Sequence, residues 1–239
     1  MADVQRPRGA RLNLTGYRPD IDGLLAVSIL AVVLYHLRLP GMEAGYLGVD
    51  VFFVFSGFLI TGQLLREAET SGTILIRNFY ARRVRRLLPA FVVMSLGASL
   101  LALLFLLPGD EQRLFGNALS RSAAFYYNIA VWRGSYDYAA ADAQQQVLMH
   151  TWSLGVEEQF YLVWPWICLG VLRIGSPLAV FSTLAGASLF GAWWVLPRDA
   201  AAAFFLLPFR AWELGLGACA AVLPQAGSFP KGRAAAAGG

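Results

Sequence analysis

The apolar residues of this chain are gathered into long blocks, which constrains its fold more than any other feature. Six blocks of about 20 residues stand out, at 22–39, 46–65, 87–107, 152–172, 177–196 and 203–223. They show neither the alternation of a half-buried strand nor the narrow stripe of a soluble amphipathic helix. A hydrocarbon core about 30 Å thick takes about 20 residues of helix to cross. Lipid offers backbone N–H and C=O groups no water, so each such segment must satisfy its own hydrogen bonds as a helix. The expected fold is all-α, a polytopic transmembrane bundle of about six spans. Composition agrees: 57% of the 239 residues are hydrophobic and only 14% are charged, against about 25% charged in a soluble domain.

A formal net charge of +4 raises the question of nucleic acid, but the placement of the charges answers it. Arg6, Arg8, Arg11 and Arg18 precede the first block, and Arg77, Arg82, Arg83, Arg85 and Arg86 lie between the second and third. Arg173 follows the fourth, and Lys231 and Arg233 follow the sixth. With six spans these clusters all fall on one side, which the positive-inside rule makes cytoplasmic. The N-terminus is then cytoplasmic, and 108–150 is an outer loop in which 113–132 forms an interfacial or re-entrant helix. The first block lacks a small-residue cleavage pattern and a second span follows closely, so it reads as a span and not a signal peptide. Residues 1–17 are expected to form a basic cytoplasmic segment, 18–223 the membrane domain, and 224–239 a low-complexity tail. Cys168 and Cys219 sit inside apolar blocks without metal-ligand spacing, so small packing residues are expected there, with no disulfide and no metal site.

Ionisable groups inside apolar blocks are costly and mark candidate functional positions. His36 closes the first block, where a structural or interfacial histidine competes with a general base. Asp50 opens the second, and a carboxylate there suits the positive end of a helix dipole. In the stretch HTWSLGVEEQFYLVWP, Ser153, Glu157 and Tyr161 recur at i, i+4 and i+8, one polar stripe on a helix, with Glu158 and Gln159 beside it. Those carboxylates must face a watery cavity or pair with arginines elsewhere in the bundle. Arg210 and Glu213 are spaced to pair locally. Four arginines in the five residues 82–86 serve as a positive-inside anchor, or as forks for a phosphorylated ligand.

Five stretches together resemble the acyltransferase-3 family of integral-membrane O-acyltransferases: YRPDIDGLLAVSILAVVLYH, GYLGVDVFFVFSGFLIT, FYARRVRRLLPA, HTWSLGVEEQFYLVWP and LLPFRAWELGLGA. They follow in family order across about 18–218. The resemblance implies transfer of an acyl group, acetyl above all, from acyl-CoA to a hydroxyl of a cell-surface carbohydrate, in a bacterial inner membrane. It makes His36 the catalytic general base and Glu157 a second catalytic residue. Arg82, Arg83, Arg85 and Arg86 match the family's RxxR element near the donor's phosphates. Ser153, Glu157 and Tyr161 match its SLxxExxxY element, and Arg210 with Glu213 its RxxE element. Acyl-CoA (acetyl-CoA) is then a substrate, with no bound cofactor. The partners are a glycan acceptor and the lipid bilayer, with no nucleic acid. Two departures from the family open a second reading, a truncated or degenerate member that binds a partner without catalysis. Leu25 stands where the family carries Arg or Lys eleven residues before the histidine, and about six spans are present where about ten are usual.

Overall fold

The computed structural model of the chain describes residues 19–134 and 148–223. The expected N-terminal segment 1–17, the tail 224–239 and the loop residues 135–147 lie outside the described residues. Among the described residues all regular structure is helical. In chain order the elements are α1 (Pro19–His36), a 3-10 turn (Gly45–Leu47), α2 (Gly48–Ser71), α3 (Ile76–Phe105), α4 (Asp110–Ala123), α5 (Tyr127–Arg133), α6 (Thr151–Ile174), α7 (Pro177–Val195), α8 (Ala200–Phe205) and α9 (Leu207–Val222).

Five segments are long and apolar enough to cross a membrane: Pro19–His36, Gly45–Ser71, Ile76–Phe105, Pro177–Val195 and Ala200–Val222. They correspond to five of the six expected spans. The remaining one, 152–172, is a helix of 24 residues, about 36 Å long, whose apolarity is diluted by Glu157, Glu158, Gln159 and Arg173. The chain is thus a multi-pass membrane protein. The expected helix at 113–132 is divided into α4 and α5, 14 and 7 residues long, each too short to cross. The arginine cluster does not lie in a loop. It occupies the first third of α3, which runs unbroken from Ile76.

The helix ends follow local chemistry. Gly72 and Gly175, at φ of +75° and +78°, close α2 and α6 in the left-handed conformation that other residues adopt only at a cost. Proline begins α7 and lies in the first turn of α9, where its missing N–H would have had no helical partner.

α9 lies between α2 and α7. A Cβ at Gly57 would fall on the Leu214 carbonyl, and one at Gly217 on the Val54 carbonyl, so the backbones of α2 and α9 touch. Small residues that admit such approach take the place of a hydrophobic driving force inside lipid. α1 leans on the start of α2, where Gly45 meets Ala31 and Tyr35, and Gly48 meets Ser28 and Val32. Trp164 Nε1 of α6 donates to Thr61 Oγ1 of α2 at 2.8 Å. Asp50 faces Arg210, Ser56 faces Glu157 and Thr61 faces Trp164, so α2, α6 and α9 run parallel with their N-termini at one end.

α3 runs opposite to α6. Tyr80 OH donates to the Leu162 carbonyl at 2.6 Å, while Arg83 lies at the level of Glu158. Beyond this first third, Val93, Leu96, Leu103, Leu104 and Phe105 are each more than 60% exposed. α4 and α5 dock on α6 through a buried amide network. Gln159 Nε2 donates to the Phe125 carbonyl and to Asn128 Oδ1, both at 2.8 Å, and Asn128 Nδ2 donates to the Phe205 carbonyl at 3.0 Å. Phe125, between α4 and α5, has φ of +54°, uncommon for a residue with a side chain. That conformation turns the chain and presents its carbonyl to Gln159.

Candidate active site

Three polar clusters lie along α2. The middle one is buried between α2 and α6. Ser56 Oγ and the Tyr161 hydroxyl both donate to Glu157 Oε1, and Ser56, Glu157 and Tyr161 are 7%, 6% and 2% exposed. Two hydroxyl donors on one oxygen stabilise a carboxylate in apolar surroundings. They also place it within proton-transfer reach of either hydroxyl. The expected stripe is therefore only partly joined. Glu157 and Tyr161 are bonded, whereas Ser153 Oγ donates to the His150 carbonyl at 3.2 Å. Ser56, from another helix, supplies the third member.

Glu158 meets Arg83 at 3.1 Å, and the Arg83 guanidinium carbon lies 3.9 Å from the Tyr161 ring centroid, well within cation–π range. One arginine thus touches both a carboxylate and the ring whose hydroxyl serves Glu157. Arg82 forms an ion pair with Glu67 at 2.5 Å. Arg85 and Arg86 are exposed and form no ion pair among the described residues. Of the four arginines expected at the donor, two are thus engaged within the chain and two face outward.

The third cluster lies at the end where the N-termini of α2, α6 and α9 meet. Arg210 pairs locally with Glu213 at 3.1 Å, as its spacing predicts, and also across helices with Asp50. Phe53, Trp152 and Phe204 lie 5.5, 5.8 and 5.3 Å from its guanidinium carbon. Glu213 is fully buried.

His36 is the last residue of α1 and exposed. Its Nδ1 lies 2.8 Å from the Val32 carbonyl, and its ring stands edge-on to Tyr35 with centroids 5.3 Å apart. A histidine donating from Nδ1–H carries its lone pair on Nε2, the form a general base needs. Leu25 lies half-buried on the same helix, about 16 Å back along its axis.

Sequence reasoning missed two members of these clusters. The charge of Arg210 in an apolar block required an anion, and Asp50 near the same end was the available cross-helix partner. Ser56 gave no signal, because a serine in an apolar block is ordinary. Cys168 and Cys219 are free thiols. Among the described residues, no three His, Cys, Asp or Glu side chains are gathered as metal ligands would be.

The chain matches the sequence family described as an acyltransferase domain over residues 18–229. The peptidoglycan O-acetyltransferase OatA of Listeria monocytogenes is 35% identical over 212 residues, covering 85% of this chain and 33% of that protein. YrhL of Bacillus subtilis, provisionally named a peptidoglycan O-acetyltransferase, is 37% identical over 154 residues, covering 62% of this chain and 23% of its own length. A provisionally named O-acetyltransferase of Staphylococcus aureus is 38% identical over 162 residues, covering 65% of this chain and 25% of its own length. The chain spans about a third or less of the length of these relatives. No solved structure matches it. With a match across 18–229 and the motif-bearing helices assembled around Glu157 and Arg210, this chain belongs to the acyltransferase-3 family.

Proposed function

We propose that the protein transfers an acyl group, acetyl in the first instance, from acyl-CoA to a hydroxyl of a cell-surface carbohydrate. The observation that carries this reading is the buried Glu157 cluster, joined through Arg83 to the arginine-rich face of α3. Phosphates are bound bidentately by guanidinium forks, so the cluster of Arg82, Arg83, Arg85 and Arg86 makes this face of α3 suit the nucleotide end of the donor. Ser153, Arg210 and Glu213 shape the opposite end of the bundle, where His36 also lies. In the reaction His36 takes the proton of the acceptor hydroxyl as its oxygen attacks the thioester carbonyl. A C–O bond forms, the C–S bond breaks, and the CoA thiolate leaves and is protonated. The relatives' names support a glycan acceptor and acetyl as the group moved. The corresponding location is a bacterial inner membrane, with the N-terminus and the face bearing the arginines in the cytoplasm.

The test is acetyl-CoA-dependent acetylation of glycan by membranes carrying the intact protein. His36→Ala is expected to lower the rate about 10²–10⁴-fold, and a full rate in that variant would remove the histidine from the mechanism. Leu25 favours the second reading, a non-catalytic member, and Leu25→Arg separates the two. A gain in transfer that His36→Ala abolishes supports the enzyme. Background rates in both the parent protein and Leu25→Arg support the binding protein.

A further inference from the structure

We infer that the arginines of the 82–86 cluster on α3 divide in role, Arg82 being tied to Glu67, Arg83 being a positioning residue for the Glu157 cluster, and Arg85 and Arg86 being left to meet the donor's phosphates. This rests on the acyl-CoA reading above and assigns parts within it. The inference starts from how α3 is held. Much of its apolar two-thirds is exposed, with Ala102 buried and Phe91 meeting Phe125, and its polar ties to the other helices gather in the first third. Tyr80 OH donates to the Leu162 carbonyl and accepts from Trp166 Nε1 at 3.2 Å. Arg82 pairs with Glu67, and Arg83 pairs with Glu158 at 3.1 Å.

Arg83 differs from its neighbours in what it touches. Its side chain is 17% exposed and that of Glu158 is 14%, whereas the Arg82 side chain is 41% exposed. A guanidinium mostly buried against a carboxylate and stacked on Tyr161 has exchanged most of its water for these two partners, its buried Nε alone having no hydrogen-bond partner among the described residues. Handing it to a phosphate would leave Glu158 buried without a counter-charge, a costly state. Arg85 and Arg86 have no such commitment and keep their forks in solvent. The Arg83 contact also acts on the cluster directly. By covering the Tyr161 ring it limits where that hydroxyl can point, and the hydroxyl donates to Glu157 together with Ser56. Arg83 therefore transmits the position of α3 to the buried carboxylate, so a donor docked on Arg85 and Arg86 and the Glu157 cluster would be held by one rigid helix.

The experiment compares steady-state acetyl transfer by the intact protein in proteoliposomes with the variants Arg83→Gln, Arg83→Lys, Arg83→Glu, Arg86→Gln and the exchange Arg83→Glu with Glu158→Arg. Misplacing a catalytic group by about 1 Å can cost about a hundredfold. Arg83→Gln is thus expected to lower kcat at least about tenfold while the KM for acetyl-CoA stays within about twofold. Arg86→Gln is expected to raise that KM about tenfold with kcat retained. The exchange should recover part of the kcat that Arg83→Glu alone loses, which a contact with donor phosphate would not allow. If Arg83→Gln does not accumulate as folded protein, Arg83→Lys reads the same split, since it keeps the charge and loses the fork. A KM rise with unchanged kcat in the Arg83 variants, or an exchange as inactive as Arg83→Glu, would overturn the division of roles alone. Absence of transfer by the unaltered protein would overturn the acyl-CoA reading and this inference with it.

Discussion

Glu157 accepts two hydroxyl hydrogen bonds on one oxygen inside an apolar bundle, so its removal leaves two buried donors unsatisfied. Glu157→Ala should cost about 2–4 kcal/mol, while Ser56→Ala alone should cost about 1 kcal/mol. Denaturation in detergent measures both, and equal small losses would mean that the cluster contributes no net stability. Asp199 offers a test at the membrane surface. It caps α8 by accepting from the Ala202 amide at 2.8 Å and accepts from Trp132 Nε1 at 2.9 Å. The Trp132 bond, followed by the backbone amides of Ala202 and Ala201, holds its carboxyl below the usual carboxylate range. A lowered folded value means that its stabilisation is present above the unfolded value and is lost as pH falls through the folded one. Asp199→Ala should therefore lower thermal stability at neutral pH and remove part of the acid-side decline; an unchanged acid limb would contradict this. At this scale the sequence marked Glu157 and Arg210 as groups in need of partners, because a charge in an apolar block has no inexpensive alternative. It did not reveal Ser56, whose partner lies 101 residues away.

Helix contacts depend on a few glycines. Gly57 and Gly217 have a neighbouring backbone where a Cβ would stand, whereas Gly97 and Gly186 have open space. Overpacking of this kind typically costs about 1–3 kcal/mol. Gly57→Ala and Gly217→Ala should each show a loss of at least that size, because the obstructing atoms are backbone and cannot rotate away. Gly97→Ala should be neutral or stabilising, since alanine favours a helix. Similar melting temperatures for all three would mean that α2 and α9 do not meet through these positions. Apolar blocks predicted the long helices because lipid contact and helix length are matched. They underestimated α3, since a block measures the apolar part of a helix and the arginines extend it by a further third. They also left 113–132 as one helix, because the turn that divides α4 from α5 depends on Phe125 adopting a left-handed conformation, for which its side chain gives no signal.

For the whole molecule, the charge pattern predicts an orientation that labelling can test. Ser71 ends α2 beside the arginine-bearing start of α3, and Asn117 lies on α4, the helix that follows α3 in the chain. In a background with Cys168→Ala and Cys219→Ala, impermeant thiol reagents should label Ser71→Cys and Asn117→Cys from opposite faces. Labelling from one face would remove α3 as a span. The same geometry gives the acyl-transfer reading its direction, with the arginines toward one face and His36 toward the other. The deciding measurement uses proteoliposomes of the intact protein in which a glycan acceptor is confined to the Asn117 side and labelled acetyl-CoA is supplied only on the Ser71 side. Labelled acetyl ester on the enclosed glycan, lost with His36→Ala, is the result expected. Ester that forms only when donor and acceptor share one side, or that never forms, would contradict transfer across the bilayer by this protein.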